Sequence, residues 1–186
     1  MDIVEDIAEI REIYGEPMER TIKKQLPRLE KHSRAFIALS PFLVIASADP
    51  NGRVDASPKG DMPGFVRVID DQTLLIPDRL GNNRVDTISN LLASPGVGLI
   101  FFVPGLRETL RVNGQARITS DPALLEPCAV GGKVPRSGIL ITADRGLSVR
   151  EEARAQLIQV LNKPVKPAAL RALLAQCRVQ RVAAAE

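Results

Sequence analysis

Between residues 41 and 119 the chain alternates short apolar runs with tight-turn signals, and this spacing restricts the fold more than any other feature of the sequence. Apolar runs bounded by Asp, Asn, Gly or Pro are typical of buried β-strands. Six strands are predicted, at residues 41–48, 53–57, 65–69, 73–77, 97–103 and 109–119. One helix, residues 84–92, interrupts them. Because strands and helices do not alternate in a βαβ pattern, the sequence predicts an antiparallel barrel.

Helical segments are predicted on both sides of these strands. Residues 2–14 have apolar side chains at helical spacing, a second helical stretch covers 18–29, and we expect both to cover one side of the barrel. No aromatic residue follows Phe102, and after a short apolar run at 138–142 the pattern becomes helical, at 148–161 and 167–177. The predicted class is therefore mainly β with flanking helices (α+β). Residues 1–137 are assigned to the barrel domain and 138–186 to a helical C-terminal appendage.

Composition excludes several classes of protein. Hydrophobic residues make up 45% and charged residues 25% of the 186, which is typical of soluble globular proteins. The net charge of +3 is spread along the chain, so no nucleic-acid partner is expected. No apolar run approaches the roughly 18 residues of a membrane span, and residues 1–14 are too acidic for a signal peptide. Cys128 and Cys177 lack the spacing of a zinc site or disulfide framework, so we expect free thiols in the cytoplasm.

The common hydrolytic and nucleotide-binding motifs are missing. The only histidine, His32, lies in a charged stretch where a solvated or capping role is expected. There is no GxSxG nucleophile elbow, no GxxxxGK[ST] phosphate loop and no GxGxxG after a strand. The sequence therefore nominates no general base, and the catalytic residues are unknown.

Two polar loops could carry chemistry. Residues 55–61 place a hydroxyl, a cation, a glycine and a carboxylate close together. Residues 77–84 lead into the predicted helix, which begins at residue 84. Asn82 or Asn83 can cap that helix, which leaves backbone N–H groups beside Arg84. A helix N-terminus and a guanidinium both favour phosphate. The residue types alone fit equally well with two capped polar turns that carry ordinary surface charges.

Three segments carry a family resemblance: SPKGDMPGFV, LLIPDRLGNNRVDTISNLLASPGVGLIFFVPG and ETLRVNGQARI. Over about residues 34–142 the chain resembles the pyridoxamine 5′-phosphate oxidase-like flavoproteins. The resemblance implies a six-stranded antiparallel split β-barrel of the FMN-binding type. It also implies a homodimer, with FMN at the interface between the two copies, that acts on a small-molecule substrate.

The resemblance also implies a set of cofactor-binding residues. Residues 54–59 would lie along the flavin, residues 76–77 would offer backbone contacts, and residues 82–84 would hold the phosphate. Two residues of the ETLRVNG strand would reach the cofactor from the neighbouring chain or strand. The implied set is Val54, Ala56, Ser57, Lys59, Ile76, Pro77, Asn82, Asn83, Arg84, Thr109 and Arg111. Within it, Lys59 is expected to stabilise the reduced anionic flavin near its N1–O2 edge.

The chain departs from the family after the barrel. The family's His-Cys pair and its terminal Arg/Trp-containing stretch are missing. The Tyr, Arg and Ser set that holds the substrate phosphate cannot be placed either, since the only tyrosine is Tyr14. We therefore expect an FMN-dependent oxidoreductase that acts on a small molecule other than pyridoxamine phosphate. The alternative is a non-catalytic flavin-binding or regulatory module.

Residues 139–178 resemble the last part of a response-regulator receiver domain, on the strength of LNKPVKPAALRALL. Thr142 would match the receiver's switch hydroxyl, and Lys163 with Pro164 its lysine–proline pair. The strands that carry a phosphoryl-accepting aspartate are absent, so phosphorylation signalling is excluded. The alternative is an amphipathic tail that docks on the barrel.

Overall fold

The computed structural model describes residues 3–16, 28–79, 81, 83–144 and 148–149. The chain divides into two compact units, Met1–Val149 and Arg150–Glu186. The second unit lies outside the described residues, as does most of the stretch at 18–29. The helix predicted at 167–177, all but the first two residues of the helix predicted at 148–161, and most of the receiver-like segment also lie outside them. Those first two residues, Ser148 and Val149, form a short strand, so the prediction that a helix begins at residue 148 is wrong.

The described residues form a mainly β fold around one antiparallel sheet. Its strands are β1 Phe42–Ala48, β2 Val54–Gly60, β3 Arg67–Val68, β4 Thr73–Pro77, β5 Gly96–Phe102, β6 Thr109–Thr119, β7 Gly138–Ala143 and β8 Ser148–Val149. Seven strands follow the order β2-β1-β5-β6-β7-β4-β3, and β8 pairs with β6. Within the described residues β2 and β3 do not pair with each other, so the sheet is open. The predicted class is confirmed, whereas the six-strand count is wrong and barrel closure is not seen.

Two strands, β7 and β8, are not among the six predicted ones, and β7 lies inside the sheet. Residues 138–142 were assigned to the C-terminal appendage, yet β7 pairs with both β4 and β6 inside the sheet. Ile139 and Ile141 are buried, and Ile141 lies opposite Leu74 on one side and Ala116 on the other. The first unit therefore continues beyond residue 137. A strand of only six residues gives a short apolar run, which does not distinguish it from a helix segment.

Four α-helices accompany the sheet in the described residues: α1 Ile7–Tyr14, α2 Lys31–Leu39, α3 Asp86–Ala93 and α4 Pro122–Leu125, the last followed by a 3₁₀ turn at Glu126–Cys128. The expectation that the first helix covers the barrel is wrong, because α1 buries none of its residues and Ile7 is 73% exposed. The unpredicted α2 takes this place by burying Phe36 and Ile37. His32 lies half-buried on α2 with a buried Nδ1 that has no hydrogen-bond partner, so it neither caps a helix nor is fully solvated.

The core lies on one face of the sheet, where alternate residues of each strand point inward. Leu43 and Ile45 of β1, Leu99 and Phe101 of β5, and Leu110 and Val112 of β6 are completely buried. The residues between them are exposed or half-buried. This period of two is the signature of a sheet with one buried face.

The sequences at Asp49–Gly52, Asp70–Asp71 and Asn113–Gly114 each predict a turn or bulge, and two of these three predictions are confirmed. At residues 49–52 the Asp49 carboxylate accepts the N–H groups of Asn51 and Arg53, and Gly52 adopts a φ of 79°. The Asp70–Asp71 pair forms the turn between β3 and β4. The turn or bulge predicted at Asn113–Gly114 is wrong, because both residues lie inside the regular strand β6.

Asp70 makes the stability of the β3–β4 turn depend on pH. Its Oδ1 accepts the N–H of Gln72 at 2.7 Å and the N–H of Thr73 at 2.8 Å. The hydrogen bond from the Gln72 backbone, followed by that from the Thr73 side chain, lowers the pKa of Asp70 below its ordinary 3.8. Because the folded-state pKa lies below the unfolded one, the stabilisation is present above about pH 4 and is lost as the pH falls through the folded-state pKa.

We therefore expect Asp70→Ala to lower the free energy of unfolding at pH 6, with a deficit that shrinks as the pH falls toward about 3. Urea unfolding of the wild type and the variant at a series of pH values measures this difference. The expectation fails if the deficit is the same at both ends of the series.

Candidate functional site

A groove of about 950 Å³ brings the two polar loops together. It lies between β2, the segment that follows β4, the start of α3 and the loop that follows the 3₁₀ turn. The residues that line it are mostly polar or charged: Asp55, Ala56, Ser57, Pro58, Lys59, Gly60, Asp61, Asp78, Arg79, Gly81, Asn83, Arg84, Val85, Asp86, Thr87, Ile88, Val130, Lys133, Val134, Pro135 and Arg136.

The wall formed by β2 is an edge strand. In the described residues β2 pairs only with β1, and Pro58 is compatible with an edge because no second strand needs its missing N–H. Ser57 and Lys59 are half-buried on one face of β2. The Thr87 hydroxyl donates to Asp55 Oδ2 at 3.4 Å, a contact that links β2 to the first turn of α3. The strand and the helix start are thus held beside each other.

The entry into α3 has an unusual backbone. Asn83 and Val85 have φ values of 58° and 51°, in the left-handed region, whereas Arg84 between them does not. A β-branched residue in this region is strained, and such strain is found at sites where the surrounding structure requires it. Alternation of left- and right-handed residues turns successive N–H groups into a concavity that favours anions.

Among the described residues, no side chain forms a capping hydrogen bond at the start of α3. Its N-cap residue is Val85, which forms no capping hydrogen bond, so the predicted cap at Asn83 is wrong, and Asn82 lies outside the described residues. No described side chain therefore satisfies the first N–H groups of α3, and free N–H groups at a helix N-terminus are the condition for anion binding there.

Two arginines of the groove have different roles. Arg84 Nη2 lies 2.9 Å from Asp86 Oδ2, with the two side chains 73% and 53% exposed, and such surface pairs are weak. Arg79 Nε donates to Asp61 Oδ2 at 2.6 Å, and its Nη1 donates to the Cys128 carbonyl at 2.6 Å. Arg79 therefore holds the ends of β2 and β4 and the 3₁₀ turn together, while Arg84 can exchange its partner for a ligand.

Five of the residues implied by the family resemblance line the groove: Ala56, Ser57, Lys59, Asn83 and Arg84. Val54 lies at the start of β2, is 77% exposed and is not among the lining residues. Ile76 and Pro77 are buried on β4, where they lie opposite Ile139 and Gly138 of β7. Their side chains belong to the core, so any contact with a ligand would come from their backbone.

The remaining two predicted residues lie on another face. Thr109 and Arg111 are exposed on β6, opposite Phe102 and Ile100 of β5, and neither lines the groove of this chain. Directly opposed residues of antiparallel strands project to the same side of a sheet. Thr109 and Arg111 thus share the outward face of the sheet with two apolar side chains.

Sequence reasoning missed the Arg79–Asp61 pair and the loop with Lys133 and Arg136. The sequence does mark the residues of the pair, since Asp61 ends the motif SPKGD and Arg79 ends the motif PDR. It also marks the loop, because the Gly131–Gly132 dipeptide before Lys133 is typical of a hairpin turn. Neither signal showed that these segments meet at one groove.

The described residues offer no metal centre and no membrane span. No group of three or more His, Cys, Asp or Glu side chains in this part of the chain could hold a metal ion. None of the described helices is long and apolar enough to cross a membrane. His32 and Cys128 are not among the groove-lining residues.

Comparison with known proteins adds a family and a fold. The family model described as "Pyridoxamine 5'-phosphate oxidase" matches residues 29–159. No curated protein matches the chain. These findings give no support to the receiver resemblance of residues 139–178, part of which the family match covers.

Among solved structures, HupZ of Group A Streptococcus is 18% identical with a TM-score of 0.52, and the alignment covers 62% of this chain and 89% of HupZ. An FMN-binding protein from Syntrophomonas wolfei is 13% identical, with a TM-score of 0.49 and coverage of 77% and 96%. HutZ from Vibrio cholerae, described as a heme storage protein, is 14% identical, with a TM-score of 0.46 and coverage of 66% and 94%. The likeness to HupZ shows a shared fold alone.

Proposed function

Because this chain belongs to the pyridoxamine 5′-phosphate oxidase family, we propose that its groove binds FMN, with the flavin phosphate at Arg84 and the start of α3. The observation that carries the proposal is the turn before α3, in which Asn83 and Val85 are left-handed and Val85 supplies no capping hydrogen bond, so that the Arg84 guanidinium and the first N–H groups of the helix meet at the groove. A phosphate monoester matches this set of donors. The groove volume of about 950 Å³ is at the upper end of the range for small-molecule sites.

The β2 wall fits the flavin ring. Ser57 and Lys59 offer a hydroxyl and a cation on the same face of an edge strand. The Lys59 side chain has no ion-pair partner among the residues that the structure describes. In this proposal it places positive charge beside the ring and favours the anionic reduced form, and bound FMN supplies the hydride or electron transfer.

We also propose that two copies associate through the outward face of β1, β5 and β6. Phe42 is 40% and Ile100 39% exposed on this face, and the rings of Phe42 and Phe102 lie 6.0 Å apart. Thr109 and Arg111 lie beside these apolar side chains. A homodimer would cover this surface, and it would let Thr109 and Arg111 approach the cofactor of the partner.

The proposed reaction is oxidation or reduction of a small molecule, with a non-catalytic flavin-binding module as the alternative. Pyridoxamine phosphate oxidation is not proposed, because the only tyrosine, Tyr14, is 77% exposed on α1 and does not line the groove. Heme is not proposed either. No described residue of the groove is a His, Cys, Tyr or Met that could serve as an axial ligand.

The test is titration of flavin-free protein with FMN and with riboflavin, which lacks the phosphate. We expect FMN to bind ten- to a hundredfold more tightly, since a charge-assisted phosphate contact contributes about 1.5–3 kcal/mol. Flavin fluorescence quenching measures both dissociation constants. Equal affinities would contradict the phosphate site, and failure to bind either flavin would contradict the proposed function.

A further inference from the structure

We propose that Lys133 and Arg136 form a second anion-binding site in the groove, for the carboxylate or phosphate group of a small acidic ligand. The inference rests on the proposed function, in which FMN occupies the wall formed by β2 and α3. It extends that function by naming the chemical class of the second molecule that binds beside the flavin.

The two cations belong to a well-defined hairpin. Val130 and Lys133 exchange backbone hydrogen bonds of 3.1 and 3.0 Å, and Gly131 and Gly132 between them have φ values of 57° and 76°. These positive φ values are those of a two-residue type I′ turn, the connection that best matches the twist of paired strands. The turn fixes the backbone position of Lys133.

The hairpin is anchored at both ends. On its N-terminal side the Cys128 carbonyl accepts a hydrogen bond from Arg79, which itself pairs with Asp61. On its C-terminal side Pro135 is buried, and the Ser137 carbonyl accepts the N–H of Asp78 at 2.9 Å. The backbone that carries the two exposed cations, Lys133 and Arg136, is thus in place before any ligand arrives, which lowers the entropic cost of binding.

The charges of the groove leave these two cations available. Arg79 is held by Asp61, Arg84 contacts Asp86, and the proposed function assigns Lys59 to the flavin. In contrast, among the described residues neither Lys133 nor Arg136 has a side-chain hydrogen bond or an ion pair. Two like charges that line one groove repel each other, and an anion bound beside them lowers that cost.

The surroundings of the pair indicate a ligand with an apolar body. Val130 and Val134, 55% and 47% exposed, flank Lys133 in the same groove. An apolar fragment next to these valines would lose its contact with water while its anionic group meets the cations. Small aromatic or aliphatic carboxylates and phosphate esters have this combination.

The test compares the FMN-loaded wild type with the double variant K133A/R136A. Isothermal calorimetry with benzoate and with phenyl phosphate as separate probes shows whether a carboxylate or a phosphate ester is preferred. For each probe that the wild type binds, we expect the dissociation constant of the variant to be at least about tenfold higher. The dissociation constant of FMN should not change.

The matched control is K31A/R53A, which removes one lysine and one arginine that lie outside the groove and are exposed.

Three results would overturn the inference. They are equal affinity of the wild type and the double variant for both probes, no binding of either probe to the wild type at millimolar concentration, and loss of FMN affinity in the double variant. The last result would assign the two cations to the cofactor. If the wild type binds no FMN, the proposed function fails by itself, and the same titration of the flavin-free chain still decides whether the hairpin binds anions.

Discussion

Arg84→Ala is expected to weaken FMN binding ten- to a hundredfold and to leave riboflavin binding unchanged. The guanidinium is the one charged donor that the proposal places on the phosphate, and a charge-assisted hydrogen bond contributes about 1.5–3 kcal/mol. Because the Arg84 side chain is 73% exposed and its ion pair with Asp86 is weak, the fold should be little affected. Fluorescence titration of the wild type and the variant with both flavins gives the four dissociation constants.

Two further variants make this result specific. Arg53→Ala removes an 82% exposed arginine outside the groove and should change neither affinity. Asp86→Asn removes the carboxylate that competes for Arg84, so FMN should bind as well as before or more tightly. Equal weakening of FMN and riboflavin by Arg84→Ala would show that Arg84 acts on the ring or on the fold. No weakening of either would mean that the phosphate lies elsewhere.

Gly114→Ala is expected to lower the free energy of unfolding by about 1–3 kcal/mol, the usual cost of inserting a methyl group into a packed region. A Cβ atom on Gly114 would overlap the carbonyl oxygen of Thr142 and lie 3.1 Å from the Cα of Ala143. Both obstacles are backbone atoms of β7, and Gly114 lies directly opposite Ala143 in the β6–β7 pair. The strand cannot move away without loss of its pairing with β4 or β6.

The matched control is Gly96→Ala on β5, where an added Cβ meets nothing within 4 Å. This substitution should leave stability unchanged or raise it by up to about 1 kcal/mol, because alanine loses less backbone entropy on folding than glycine does. Urea unfolding of both variants and the wild type provides the comparison. If Gly114→Ala is as stable as Gly96→Ala, then β7 does not pack against β6 as the structure has it.

Short apolar runs bounded by turn residues were enough to predict most of the sheet. The strands β1, β4, β5 and β6 lie close to the predicted ranges because each is rich in apolar residues and has a turn signal beside it. The strand β7 could not be recognised in this way, since it lies between β4 and β6 only as a result of long-range pairing. For α1 the spacing indicated an amphipathic helix, but spacing does not show what an apolar face packs against.

The sequence was enough to predict which residue types form the candidate site, but it was not enough to predict their arrangement in space. The loops around Lys59 and Arg84 were recognised from charge and from their position beside a strand and a helix. The left-handed conformation of Val85 was not predictable, because a β-branched residue disfavours it and only tertiary structure can impose it. The hairpin with Lys133 comes to the same groove through the contacts of Arg79 and Asp78, which link segments far apart in the sequence.

The most direct test of the central claim is the visible absorption spectrum of the protein purified without added cofactor, together with the identity of any molecule that denaturation releases. We expect a flavin spectrum and the release of FMN in an amount equimolar with the protein chain. A colourless protein that also takes up no added FMN would contradict the central claim, and so would an absorption band of heme.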